Sequence, residues 1–86
     1  MVYKILIRKE ADKALLKMPA NWRIRVTEKI LQLARNPDDA SLDIKSLQGS
    51  ELLRMRVGRW RVIFVRDDDV KIIAIEKIKP RGGAYK

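Results

Sequence analysis

Apolar and basic residues alternate through Leu53-Arg54-Met55-Arg56-Val57, Gly58-Arg59 interrupts, and a β-rich run resumes at Trp60-Arg61-Val62-Ile63-Phe64-Val65. Period-two alternation on either side of a two-residue break that opens with glycine predicts a β-hairpin. Gly58 supplies the positive φ that a tight type II′ or related turn demands. The loop length then fixes the register, with Val57 opposite Trp60 and Arg56 opposite Arg61. Arg54 falls on the same face as that arginine pair. Like charges directly across an antiparallel pair cost up to about 1 kcal/mol. A face that gathers guanidinium groups in this way calls for an anion.

The chain has 86 residues, 47% of them hydrophobic, and a formal net charge of +9. That length suits a single domain spanning 1-86 with one core, and the hydrophobic share is too high for a disordered chain. The positive charge favours a polyanion, most simply nucleic acid. Cysteine and histidine are both absent, which excludes disulfides, thiol nucleophiles, imidazole metal sites and Ser-His-Asp or Cys-His machinery. Acid–base chemistry here must use Tyr, Lys, Asp or Glu. No metal and no cofactor is expected. The apolar run at the start is interrupted by Lys4 and followed by Arg8-Lys9, too short for a signal peptide or a membrane span. A cytoplasmic protein with no membrane partner is the expectation.

Val2 to Ile7 is rich in β-branched and aromatic residues and predicts a strand. Ala11, Ala14, Leu15 and Met18 then fall at helical spacing, and Pro19 ends that helix. Its start lacks a capping side chain, although Glu10 and Asp12 suit the helix dipole. Asn21 is the expected N-cap of a second helix with Trp22, Val26, Ile30, Leu33 and Ala34 on one stripe, stopped by Asn36-Pro37. The two form an αα-hairpin able to cover one face of a sheet. Asp38 to Ser50 predicts a surface connection anchored by Ile44 and Leu47. After the β-hairpin, Asp67-Asp68-Asp69 predicts a turn rather than a metal site, because nothing around it supplies further ligands at a suitable spacing. A last strand follows over Val70 to Ile78, and the Gly- and Pro-rich tail from Lys79 does not continue it.

The order is therefore β-α-α-β-β-β, an α+β fold in which an N-terminal strand and an αα-hairpin pack on a mainly antiparallel sheet. With Arg66 opposite Val70, the core face carries Leu53, Met55, Val57, Val62, Phe64, Ile72 and Ala74. Arg54, Arg56 and Arg61 share the other face with Ile63, Val65, Ile73 and Ile75. Apolar area beside a basic cluster points to a protein partner there.

Several segments together carry a family resemblance: Leu33-Ala34-Arg35-Asn36-Pro37, Leu47-Gln48-Gly49, the run from Leu53 to Phe64, the acidic turn, and Arg81-Gly82-Gly83-Ala84-Tyr85. In order and spacing they resemble the RelE/ParE superfamily of toxins from type II toxin–antitoxin systems, over nearly the whole chain. The resemblance implies a RelE-like compact α+β fold and a cognate antitoxin that wraps the toxin in a hetero-oligomer. Its RelE-like branch consists of ribosome-dependent mRNA endonucleases, whereas the ParE-like branch inhibits DNA gyrase. RelE-like nucleases use basic residues on this hairpin, basic residues ahead of the C-terminus, and a tyrosine near the end. The matching positions are Arg54, Arg56, Arg61, Lys79, Arg81 and Tyr85, and all hold suitable side chains, which favours the nuclease branch.

By that resemblance, Arg61 and then Arg81 meet the phosphate on which charge develops, Tyr85 acts as general base, and Arg54, Arg56 and Lys79 bind substrate. Lys79 is also placed to protonate the leaving oxygen. An ordinary phenol titrates near pH 10, so the surrounding cations must favour the phenolate of Tyr85. Trp60 reads as a hairpin anchor rather than a base-stacking platform. The sequence ends one residue after Tyr85, unlike relatives with a further C-terminal helix. Placement of Tyr85 is then expected to depend on a bound partner, with negligible cleavage of naked RNA. A gyrase inhibitor and a non-catalytic nucleic-acid-binding module are the competing functions.

Overall fold

The computed structural model describes residues 2–80. In chain order the elements are β1 (Lys4–Ile7), α1 (Lys9–Lys17), α2 (Ala20–Arg35), β2 (Asp43–Ser46), β3 (Leu53–Val57), β4 (Trp60–Asp67) and β5 (Ile72–Pro80). The strands form one sheet in the order β1-β5-β4-β3-β2. β1 runs parallel to β5, and every other neighbour is antiparallel. The α+β class and the expected element order hold, with β2 added.

α1 buries Ala11 and Leu15 on the expected stripe. Arg8 occupies its N-cap position without a side-chain bond, while Glu10 and Asp12 face the positive end of the helix dipole. Met18 is extended because a following proline disfavours helical backbone. Pro19, not Asn21, holds the N-cap position of α2. Its carbonyl accepts the N–H groups of Trp22 and Arg23 at 3.0 Å each, and a ring-fixed φ spares the cap most of its ordering entropy. Arg23 then reaches back, its Nε donating to the Leu15 carbonyl at 3.0 Å and its Nη2 to that of Met18 at 3.3 Å. Carbonyls left open at the end of α1 thereby find donors.

Val26, Ile30 and Leu33 of α2 pack with Ala11 and Leu15 over Met55, Val62, Phe64, Ile73 and Ile75 of the sheet. The hairpin register is the expected one, Val57 opposite Trp60 and Arg56 opposite Arg61. Gly58 has φ +58°, and a Cβ there would fall on the Trp22 ring. Trp60 packs against the core as an anchor.

Two expectations fail between β4 and β5. Arg66 pairs with Ile73, not Val70, and Asp67 with Ile72. The turn is longer than expected because Asp67 Oδ1 accepts the N–H groups of Asp69 and Val70, at 3.0 and 3.3 Å, and Lys71 takes a left-handed φ of 58°. This odd shift turns Ile73 and Ile75 into the core, fully buried, and leaves Ile72 and Ala74 on the outer face. A register shift between Ile63 and Phe64 then makes Glu76 the extra residue of β5. Ile78 re-enters the core opposite Val62, while Lys77 and Lys79 face outward opposite Ile63 and Arg61. β5 also continues through Lys79 to Pro80, two residues beyond the expected end. The supposed surface connection contains β2, whose Ile44 packs against the core.

Candidate functional site

The outer face of the sheet carries two cross-strand rows. Asp43, Arg56, Arg61 and Lys79 stand side by side on β2, β3, β4 and β5, and Lys45, Arg54, Ile63 and Lys77 form the row beside them. Strand pairing thus collects basic side chains from four strands on one face, with Asp43 the one carboxylate in the two rows. Of the candidate residues, Arg54, Arg56, Arg61 and Lys79 come together. Arg81 and Tyr85 lie outside the described residues.

Asp43 holds two of the arginines. Arg56 Nε donates to Asp43 Oδ2 at 3.1 Å, and Arg54 Nη2 stands 3.8 Å from Asp43 Oδ1. Arg54 is only 7% exposed, and its Nη2 makes no hydrogen bond. A buried guanidinium satisfied by one distant carboxylate is a costly arrangement, which a second anion with free lone pairs would relieve. Guanidinium forks match the paired oxygens of a phosphate. Such a face can accept an oxyanion.

Reading by sequence alone missed Asp43, Lys45 and Lys77. The first two belong to the unrecognised strand β2, where the period-two spacing of Leu42 and Ile44 was the available signal. Lys77 was legible by alternation, which puts it on the same side as Ile73 and Ile75, although in the structure the bulge is what turns it outward. The apolar part of the outer face also differs from expectation: Ile73 and Ile75 are in the core, Ile63 and Val65 stay on the outer face, and Ile72, Ala74 and the 45% exposed Leu6 join them.

At the other end of β4, Arg66 ties the acidic turn to the chain that leaves α2. Its Nε donates to Asp68 Oδ1 and its Nη1 to Asp38 Oδ1, each at 2.9 Å. Tyr3 Oη also donates to Asp68 Oδ1, at 2.9 Å. The Arg66 hydrogen bonds hold the carboxyls of Asp38 and Asp68 below the usual range, with Tyr3 assisting at Asp68. Asp39 is lowered chiefly by the Ser41 N–H, which it accepts at 2.9 Å. The acidic triplet is thus a turn with internal partners, as its sequence suggests.

No family model matches the chain. It is 40% identical over 88 residues, covering 100% of this chain and 98% of the relative, to a Methanocaldococcus jannaschii protein that carries the assigned name toxin RelE1. A chain of the archaeal RelE–RelB complex from Pyrococcus horikoshii superposes with a TM-score of 0.83 at 35% identity, over 98% of this chain and 100% of that one. A chain of the RelB–RelE antitoxin–toxin complex from Methanococcus jannaschii gives 0.72 at 26% identity, over 87% and 88%. An α+β domain with a basic outer sheet face and this strand order defines a recognisable class. The chain belongs to the RelE-like toxins of the RelE/ParE superfamily.

Proposed function

We propose that this toxin cleaves mRNA on the ribosome, in the cytoplasm, and is neutralised by a cognate antitoxin. The observation that carries the reading is the convergence of Arg54, Arg56, Arg61 and Lys79 on one face, with the Arg54 guanidinium buried and short of hydrogen bonds. The 2′-hydroxyl of RNA attacks the adjacent phosphorus. A bond from O2′ to phosphorus forms, the bond to O5′ breaks, and the products carry a 2′,3′-cyclic phosphate and a 5′-hydroxyl. Arg61 and Arg81 neutralise the charge that grows on the phosphate oxygens, the main requirement of such a transition state. Tyr85 takes the 2′-hydroxyl proton, Lys79 supplies one to O5′, and Arg54 and Arg56 position the strand.

The similar chains of Pyrococcus horikoshii and Methanococcus jannaschii were both solved as toxin–antitoxin complexes. That supports an antitoxin for this chain, with Leu6, Val65 and Ala74 beside the basic rows as apolar footing.

Primer extension on mRNA from a translation extract tests the reading. Wild-type protein is expected to leave discrete cuts, which Arg61→Ala and Tyr85→Phe suppress. Intact transcripts with the wild type would overturn nuclease function, and intact transcripts together with double-strand DNA breaks would favour gyrase inhibition. Full cleavage by both variants would overturn the site.

A further inference from the structure

A groove of about 460 Å³ runs between α2 and the tip of the β3–β4 hairpin. We infer that it is a second binding site for nucleic-acid phosphodiester, extending the sheet-face site along the same strand and resting on the proposed reading of that face. Trp22, Arg25 and Lys29 line it from α2, and Arg56 and Gly58 from the hairpin.

Of the lining cations, Arg56 is paired with Asp43, whereas Arg25, like Arg59 beside the groove, is restrained by stacking. The Arg25 guanidinium carbon lies 5.1 Å from the centroid of the Trp22 ring, and that of Arg59 lies 5.9 Å from it. Stacking on an indole restrains a guanidinium while leaving its N–H edge available for hydrogen bonding. Among the described residues neither arginine is in an ion pair. Lys29 Nζ donates only to the neutral amide oxygen of Gln32, at 3.4 Å. Among the described residues Glu28 is the one acid in the lining, so the cations outnumber it.

Arg56 is common to the groove and to the row that holds Arg61 and Lys79. A strand bound across the sheet therefore meets the groove where it passes Arg56. Guanidinium groups already occupy the Trp22 ring, so the groove offers charge to a backbone rather than a platform to a base. Binding there is accordingly indifferent to sequence.

Fluorescence anisotropy with the full-length protein and non-cleavable 2′-O-methyl RNA tests this. One probe of about four nucleotides spans the sheet face, and one of about twelve also reaches the groove. Each lost phosphate contact lowers the salt slope by roughly 0.7 for a single strand. The Arg25→Gln/Lys29→Gln variant is expected to flatten the slope for the long probe by about 1.4 and weaken its binding roughly tenfold, leaving the short probe unaffected. Glu28→Gln is expected to tighten the long probe alone, a gain that misfolding cannot imitate. An unchanged slope for the long probe, equal losses for both probes, or no gain from Glu28→Gln would overturn the groove. Arg61→Gln should weaken both probes; if it weakens neither, the sheet-face reading falls, and the fault is then not the groove's alone.

Discussion

Replacing Gly58 with alanine tests how the hairpin tip holds the arginine rows in register. Two separable penalties apply. At φ +58° an L-residue pays roughly 1–2 kcal/mol for left-handed backbone. The added Cβ also meets the far edge of the Trp22 ring, at Cη2 and Cζ3. Trp22 cannot swing aside freely, because it packs against the core and lies under Arg25 and Arg59. Forced repacking of that kind costs about 1–3 kcal/mol, so Gly58→Ala is expected to lose about 2–5 kcal/mol in all. For a domain of this size each kcal/mol lowers Tm by about 4–8 °C. Urea unfolding followed by circular dichroism, whose signal survives loss of the tryptophan, measures the loss. In a Trp22→Leu background the ring edge is gone and only the backbone penalty remains, about 1–2 kcal/mol. The cycle should therefore show a coupling of about 1–3 kcal/mol. An equal cost for Gly58→Ala in both backgrounds would refute the steric part of the argument.

Arg54→Met removes a buried guanidinium that satisfies little, so it is expected to raise stability by about 1 kcal/mol or more while abolishing RNA cleavage; a destabilised variant in urea titration would contradict this. The register between β4 and β5 predicts that Ile73→Ala costs about 2–5 kcal/mol and Ile72→Ala less than about 1, measured in the same way. The carboxyls of Asp38 and Asp68 titrate lower folded than unfolded, so their stabilisation is complete above the unfolded carboxylate value near pH 4 and fades as pH falls below it. Arg66 itself, raised by those aspartates, stays protonated throughout and adds no pH dependence. Arg66→Gln is therefore expected to lower Tm at neutral pH and to flatten the decline below about pH 4; parallel Tm profiles for variant and wild type would show that the two aspartates do not govern the acid limb.

The parts of the fold that were legible share a cause, and so do those that were not. The β3–β4 hairpin could be read because a two-residue loop with glycine leaves one register. The helical stripes could be read because Val26, Ile30 and Leu33 repeat at the period of the helix. The acidic turn could not be read to the residue, since its length depends on Asp67 accepting two backbone N–H groups and on Lys71 entering left-handed space. Neither departure follows from composition. β2 is short and takes its strand character from pairing with β3, a tertiary effect that local propensity does not carry.

These irregularities bear directly on the site. Unbroken alternation along β5 would send Lys77 and Lys79 to the same side as Ile73 and Ile75. The turn places those isoleucines in the core, and so without correction it would point both lysines into the helices. The bulge at Glu76 reverses the alternation once more, and only then does Lys79 stand opposite Arg61. Two departures from ideal strand geometry thus cancel at the lysine and do not cancel at the isoleucines. A reading by alternation alone therefore puts Ile73 and Ile75 on the wrong face yet keeps Lys79 on the right one. Bulges are a recurrent means of re-aiming a side chain beside a functional site, and here the re-aimed residue completes the row of Arg56 and Arg61. The bulge thus lets one strand fill the core with isoleucine at one end and present lysine beside Arg61 on the outer face at the other.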